Sequence, residues 1–254
     1  MSLVISQEIN DIYYIIKNKN DYIQKFLMNG VQYNNELFNI IKKYILEKNL
    51  KHLVNIGSHI GTICLPISLY IETVTAIEAY PPTYNYLCEN IKQNNIANII
   101  THNIAIGNND EYVYFMSEHK ICSKENKNRF INNTGGMHVF TEEDIIKNRR
   151  SSNLTDKKIK VKMSKLDNLE IDNFDIMLVD IEGGEYDFLI GARNKLIKNK
   201  PFIIIEIWNN YKRQQENMIT TQEDVINYIT SMNFKLIRQI GDDFIFEPIT
   251  VVRN

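Results

Sequence analysis

From Lys51 onward, short apolar runs alternate with longer stretches of mixed character. The runs at 52–57, 73–78, 99–104, 174–180 and 201–207 are rich in Ile and Val and predict strands. Between them, 60–70, 82–95 and 183–198 predict helices. This alternation predicts an α/β architecture, with a mostly parallel sheet covered on both faces. Two more runs, 234–240 and 243–247, flank Gly241-Asp242 and predict a terminal antiparallel hairpin, with a helix over 221–232 before it. Ahead of Lys51, Ile5, Ile9, Ile12, Ile16, Ile23 and Phe26 recur mostly three to four residues apart, which predicts a helix over 6–28. Asn35 as N-cap, followed by Leu37, Ile40, Ile41, Tyr44 and Ile45, predicts a second helix over 35–48. The chain therefore divides into an N-terminal helical cap, 1–50, and an α/β domain, 51–254.

One unit is interrupted. Residues 111–116 and 158–163 alternate like half-buried strands, and about forty residues rich in Lys, Asn and Ser separate them, longer than ordinary connections in compact domains. From 117 to 163 there are eleven Lys and Arg against six Asp and Glu, in a chain of net charge -2. The insertion, 117–158, reads as a basic flap on an acidic body.

Composition narrows the classes. The chain has 254 residues, 44% apolar and 24% charged, which is ordinary globular usage and excludes wholesale disorder. No apolar run approaches the roughly 18–20 residues of a spanning helix. The apolar start breaks at Gln7 and Glu8, too early for a signal-peptide core. Three cysteines, Cys64, Cys88 and Cys122, form no CxxC pair, which argues against a zinc ribbon and suits a reducing, cytoplasmic setting. The near-neutral charge argues against a nucleic-acid coat. The 42 Ile and 33 Asn reflect a compositional bias, so no single Ile or Asn is read as a signal.

The chemistry gathers at strand ends. The first strand runs into Val54-Asn55-Ile56-Gly57-Ser58-His59-Ile60-Gly61, a glycine turn that lets backbone approach a ligand and offers helix N-terminal N–H groups. The G-x-x-x-G spacing lacks the third glycine of a dinucleotide fingerprint. Glu78 ends the second strand, 21 residues after Gly57, where an acid is placed to bind both hydroxyls of a ribose. Further on come Ala79-Tyr80-Pro81-Pro82, Asn90-Ile91-Lys92-Gln93-Asn94, Asn103-Ile104-Ala105, Leu166-Asp167, Asp180-Ile181-Glu182-Gly183-Gly184-Glu185, Gly191-Ala192 and Pro201 to Glu206.

These blocks, in this order over about 52–210, resemble the FkbM-type methyltransferases. That family pattern runs D-x-G-x-N-x-G, E-x-x-P, N-I-x-x-N, L-D, D-x-E-G-x-E, G-A and P-x-x-x-x-E. Two positions depart from it: Asn55 stands where the family has its first acid, and His59 where it has Asn. The resemblance implies a class I Rossmann-like fold with a seven-stranded sheet and S-adenosylmethionine as cofactor. It also implies methyl transfer, most often to a hydroxyl of a sugar or natural product.

Ligands of open α/β sheets lie beyond the carboxyl ends of the strands. Asn55, Gly57, Ser58, His59 and Gly61 are expected at the methionine side of the cofactor, and Glu78 with Ala79 at its ribose. Asn103 and Ile104 are expected beside the adenine, and Asp180 where methyl group and acceptor meet. An alcohol needs a base to take its proton; Asp180, Glu182 and Glu206 are candidates, with His138 in the flap. Asp180 and Glu206 could instead hold Mg²⁺ through oxygen ligands. Glu182 and Glu185, three apart at a helix start, are expected to share a face. Trp208 offers a platform for a sugar ring, and the basic flap suits an acceptor bearing phosphate.

Three rival readings stand beside the O-methyltransferase. An RNA 2′-O-methyltransferase would use flap residues such as Lys120, Lys124, Lys127, Arg129, Arg149 and Arg150, but no interleaving of aromatic and basic residues marks a stacking platform. An NAD-dependent oxidoreductase lacks its glycine fingerprint. A non-catalytic binding or scaffold protein draws on Asn55, and the N-terminal helices would give it a homodimer face.

Overall fold

The structure, a computed structural model, describes residues 4–116, 139–142 and 158–249. Most of the segment expected as a basic flap, with His138 and the six flap cations, lies outside them.

In chain order the elements are β1 (Val4–Ile5), β2 (Ile15–Ile16), α1 (Tyr22–Met28), α2 (Asn35–Lys48), β3 (His52–Ile56), α3 (Cys64–Ile67), β4 (Thr73–Ile77), α4 (Pro81–Gln93), β5 (Ile99–His102), β6 (Ala105–Ile106), β7 (Glu111–Met116), β8 (Lys158–Ser164), β9 (Ile176–Val179), α5 (Glu185–Asn199), β10 (Phe202–Glu206), α6 (Asn210–Gln215), α7 (Gln222–Ser231), β11 (Phe234–Ile240) and β12 (Asp243–Pro248). Seven strands form the central sheet in the order β11-β12-β10-β9-β3-β4-β5. β5, β4, β3, β9 and β10 run parallel, and β12 is antiparallel to both its neighbours. The expected α/β class, with its terminal hairpin, is what folds.

Strand alternation explains the two cores. Leu53, Ala76, Leu178, Ile204 and Ile245 face the N-terminal segment, α2, α3 and α4. Val54, Ile56, Ile77, Val179 and Ile205 face α5 and α7, through Phe188, Leu189, Val225 and Ile229. Each fully buried aliphatic side chain contributes roughly 1.5–3 kcal/mol, so both faces of the sheet are closed firmly.

The N-terminal segment departs from expectation. Residues 6–28 are not one helix: β1 and β2 pair antiparallel, and only Tyr22–Met28 is helical. Asn10 and Asp11 both sit at positive φ, 49° and 62°, between Ile9 and Ile12, which exchange backbone hydrogen bonds of 2.9 and 3.1 Å. This is the two-residue hairpin turn that Asn and Asp tolerate. The returning arm finds partners across space. Tyr13 N–H donates to Asn94 Oδ1 at 2.8 Å, and Ile15 N–H to Asn90 Oδ1 at 2.9 Å. Tertiary hydrogen bonds have replaced the helical ones that the isoleucine spacing implied.

The interrupted unit makes its own small sheet, β6-β8-β7. Phe140 bridges back to Tyr114 with two backbone bonds of 2.9 Å. The expected helix over 60–70 shrinks to four residues plus a 3-10 turn over Ser68–Tyr70, because His59 and Gly61 at φ 49° and 94° hold the chain non-helical until Cys64.

Candidate active site

A cavity opens at the carboxyl ends of the parallel strands. Asn55, Gly57, Ser58, His59, Glu78, Ala79 and Ile104 line one end. Asp180, Glu182, Glu206 and Asp243 line the other, and Tyr33, Asn34 and Leu37 of the first fifty residues close a wall.

The glycine turn supplies shape rather than donors. Gly57 and Ser58 N–H both donate to Ile77 O at 2.9 Å, and Gly61 N–H to Ser58 O at 2.9 Å. His59 N–H donates to Glu78 Oε2, also at 2.9 Å. The N–H groups expected to be free at these four residues are thus taken. Gly57 cannot be replaced: at φ 79°, a Cβ there would stand 1.7 Å from the backbone oxygen of Asp180. Gly61 does not line the cavity; a Cβ on it would strike Leu65 and Leu87.

Glu78 is held from both sides. Its Oε1 accepts from Tyr80 N–H at 2.8 Å and its Oε2 from His59 N–H. Burial outweighs these bonds and pushes the carboxyl up to about 7. Each oxygen keeps a second lone pair for a ligand hydroxyl. Asn103 is not on the cavity wall. Its amide donates to Glu78 O and Ala79 O at 2.8 and 3.0 Å, so it fixes the turn that carries Glu78. His59 is enclosed, and desolvation lowers its imidazole to about 4, so it is neutral near pH 7.

The other end is a row of acids. Register pairs Ile205 with Val179, which brings Glu206 level with Asp180, and pairs Glu206 with Asp243. These residues fall on three adjacent strands and on one face, at the roughly 4.8 Å spacing of neighbouring strands. Asp180 lines the cavity and is exposed to it. Its carboxyl is raised well above the usual range, first by desolvation, then by Glu206, Glu182 and Asp243, and it shares a hydrogen bond with Glu206. Asp243 is raised to about 6 by desolvation and then by Glu206, against a hydrogen bond from Asn34. Glu182 is raised to about 7 by desolvation first and Glu206 next. Desolvation, with smaller contributions from Asp180 and Glu206, lifts the Tyr33 phenol to about 12, so it stays a neutral donor.

Glu182 and Glu185 do not share a face. The helix begins only at Glu185, and Glu182 sits before it in a left-handed turn at φ 51°. Glu182 faces the cavity, while Glu185 is fully buried. Glu185 Oε1 accepts from Gly183 N–H at 2.7 Å and Oε2 from Arg213 Nη1 at 3.1 Å. Arg213 Nε and Nη2 also donate to Thr220 O and Oγ1, at 2.8 and 2.6 Å. A non-glycine left-handed residue is strained, and this buried ion pair holds the turn. Trp208 is buried, donates to Glu206 Oε1 at 3.1 Å and lies under Lys212; it is no sugar platform.

Tyr33, Asn34, Asp243 and Arg213 are the site residues that sequence reasoning missed. Asp243 had a legible signal, an acid at the mouth of a predicted hairpin; the others had none. Among the described residues, no group of three or more His, Cys, Asp and Glu has the arrangement to hold a metal ion. None of their helices is long and apolar enough to cross a membrane.

The strand order and the cavity over the strand ends define a class I methyltransferase architecture. The family profile of the methyltransferase FkbM domain matches residues 55–236, most of the chain, and the chain belongs to that family. Methyltransferase FkbM from Methylobacillus flagellatus KT superposes with a TM-score of 0.51 at 18% identity, over 78% of this chain and 44% of that one. This chain thus spans less than half the length of that relative. The O-methyltransferase TomG from Streptomyces achromogenes superposes with a TM-score of 0.50 at 9% identity, over 91% and 86%. At these identities the likeness shows the fold alone. No curated protein gives a significant sequence match.

Proposed function

We propose that the chain methylates a hydroxyl group of a sugar or glycan, with S-adenosylmethionine as donor. The carrying observation is the single cavity that joins Glu78, braced by two backbone amides, to the acid row at Asp180 and Glu206. The residues fit the cofactor. Glu78 would hold the ribose, and Ile104, Ala79 and the Phe115 ring would border the base. Gly57 would admit the methionine part, with the Asn55 amide beside it. The cofactor supplies an electrophilic methyl group; the protein supplies alignment and proton removal. One carboxylate of the Asp180 and Glu206 pair, in its ionised form, takes the acceptor's proton. Neutral Tyr33 donates to an acceptor oxygen, and residues 1–50 act as a cap over this end.

The RNA reading has one observation in its favour. Tyr112 and Tyr114 interleave with Lys158, Lys160 and Lys162 on one face of the small sheet, and Lys160 Nζ lies 3.9 Å from the Tyr112 ring centre. That face is opposite the one carrying Phe115 into the cavity, which favours the small acceptor.

Calorimetric titration with S-adenosylhomocysteine tests the reading. Wild type should bind in the micromolar range, and Glu78→Ala should weaken binding about 10–100-fold, the worth of charge-assisted hydrogen bonds. Folded wild type that fails to bind would overturn it.

A further inference from the structure

The acid row does more than proton transfer requires. One carboxylate suffices as a base, yet Asp180, Glu206 and Asp243 stand side by side on three strands, with Glu182 at the same end of the cavity. No lysine or arginine is among the described residues lining the cavity. Lys212 stands at the rim, 3.7 Å from Glu182 and 3.9 Å from Glu206, beyond hydrogen-bond reach and 40% exposed. It offsets part of the charge of those two, and among the described residues no cation pairs with Asp180 or Asp243.

A second observation comes from β3. Asn55 is only 3% exposed, lines this same cavity, and its side-chain amide makes no hydrogen bond among the described residues. Buried amides ordinarily find partners, so this one is presented to whatever enters. Asn55 lies on the same face as the row, one step lower on the strand next to β9. An anionic acceptor would meet four carboxylates and a neutral amide; a neutral one would leave the row uncompensated. A cation satisfies it.

Resting on the methyl-transfer reading, we propose that the acceptor carries a protonated amino group near its reactive hydroxyl, seated by Glu206 and Asp243 with Asn34 beside them. The substrate class is then an amino sugar or amino alcohol. Asp180 is left facing the hydroxyl, and the phosphate-bearing acceptor suggested by the basic insertion is disfavoured. The amino end of the cofactor is the competing cation, and the test separates the two.

Protein saturated with S-adenosylhomocysteine is titrated with glucosamine, N-acetylglucosamine and glucose. Glucosamine should bind at least about tenfold more tightly than the two neutral sugars. Asp243→Asn should lower glucosamine affinity about tenfold without changing S-adenosylhomocysteine affinity. Asp243→Glu, which keeps the charge, should retain most of the glucosamine affinity. Equal affinity for charged and neutral sugars, or no glucosamine binding, overturns the proposal. So does a loss in Asp243→Asn that falls on S-adenosylhomocysteine instead, because the row then serves the cofactor. Failure of wild type to bind S-adenosylhomocysteine overturns the methyl-transfer reading and this one with it.

Discussion

At the Glu78 end of the cleft, the carboxylate meets backbone: two N–H groups, and an Asn103 amide clamping the turn beneath it. At the Asp180 end, carboxylates meet one another, and among the described residues the cation near them is Lys212. Both ends raise carboxyl pKa values, for different reasons. Glu78 is raised by desolvation alone against hydrogen bonds that favour its charge. The row is raised by desolvation plus like-charge repulsion, which a ligand can relieve. The first end is preorganised whatever binds; the second is unfavourable until something does.

The largest break in this contrast is Gly57→Ala. A Cβ 1.7 Å from the Asp180 backbone oxygen forces β3 and β9 apart at the junction of the two ends. Destabilisation of about 4 kcal/mol or more is expected, read from the midpoint of urea unfolding. Next comes Arg213→Ala, which touches only the acid end. It strands the fully buried Glu185 and should cost about 3 kcal/mol. It should also loosen the left-handed Glu182 turn while S-adenosylhomocysteine affinity stays within a few-fold. A large loss of cofactor affinity would show that the ends are not independent.

The smallest effect is in pH. Folded-state values near 7 for Glu78 and Glu182, and near 6 for Asp243, lie above the unfolded values of about 4.3 and 3.9. Between about pH 4.5 and 7 the folded state keeps protons that the unfolded chain has released, so stability falls as pH rises through that window. A loss on the order of 2 kcal/mol is expected in the ligand-free protein, measured by thermal unfolding at pH 5 and 7.5. His59, lowered to about 4 from an unfolded value of about 6.5, acts in the opposite sense inside this window and offsets part of the loss, while Asp110, Asp172 and Asp224, lowered by their hydrogen bonds and cations, do so below it. Asp243→Asn should flatten the slope at the acid end and leave the part due to Glu78.

Much of this was legible in the chain itself. The β-strands from His52 on, their parallel order and the closing hairpin follow from apolar runs whose period and length leave few alternatives. Asn55, Gly57, Glu78, Asp180 and Glu206 were readable because strand ends in such a sheet are where ligands bind, and an acid there has little structural reason to exist. What the sequence could not decide was pairing across distance. Ile9, Ile12 and Ile16 carry helical spacing, yet Asn90 and Asn94, some eighty residues away, take the amides a helix would have used. Glu185 looks as active as Glu182 until Arg213 arrives from α6 to bury it. Asp243 is a turn residue in the sequence and becomes a site residue only because β12 runs antiparallel beside β10, which sets its carboxylate next to Glu206. Local pattern chose the elements and the strand ends that matter, since these depend on a few neighbouring residues. Register and long-range packing chose which charges face each other, since electrostatic cost depends on distances in space that spacing along a chain does not fix.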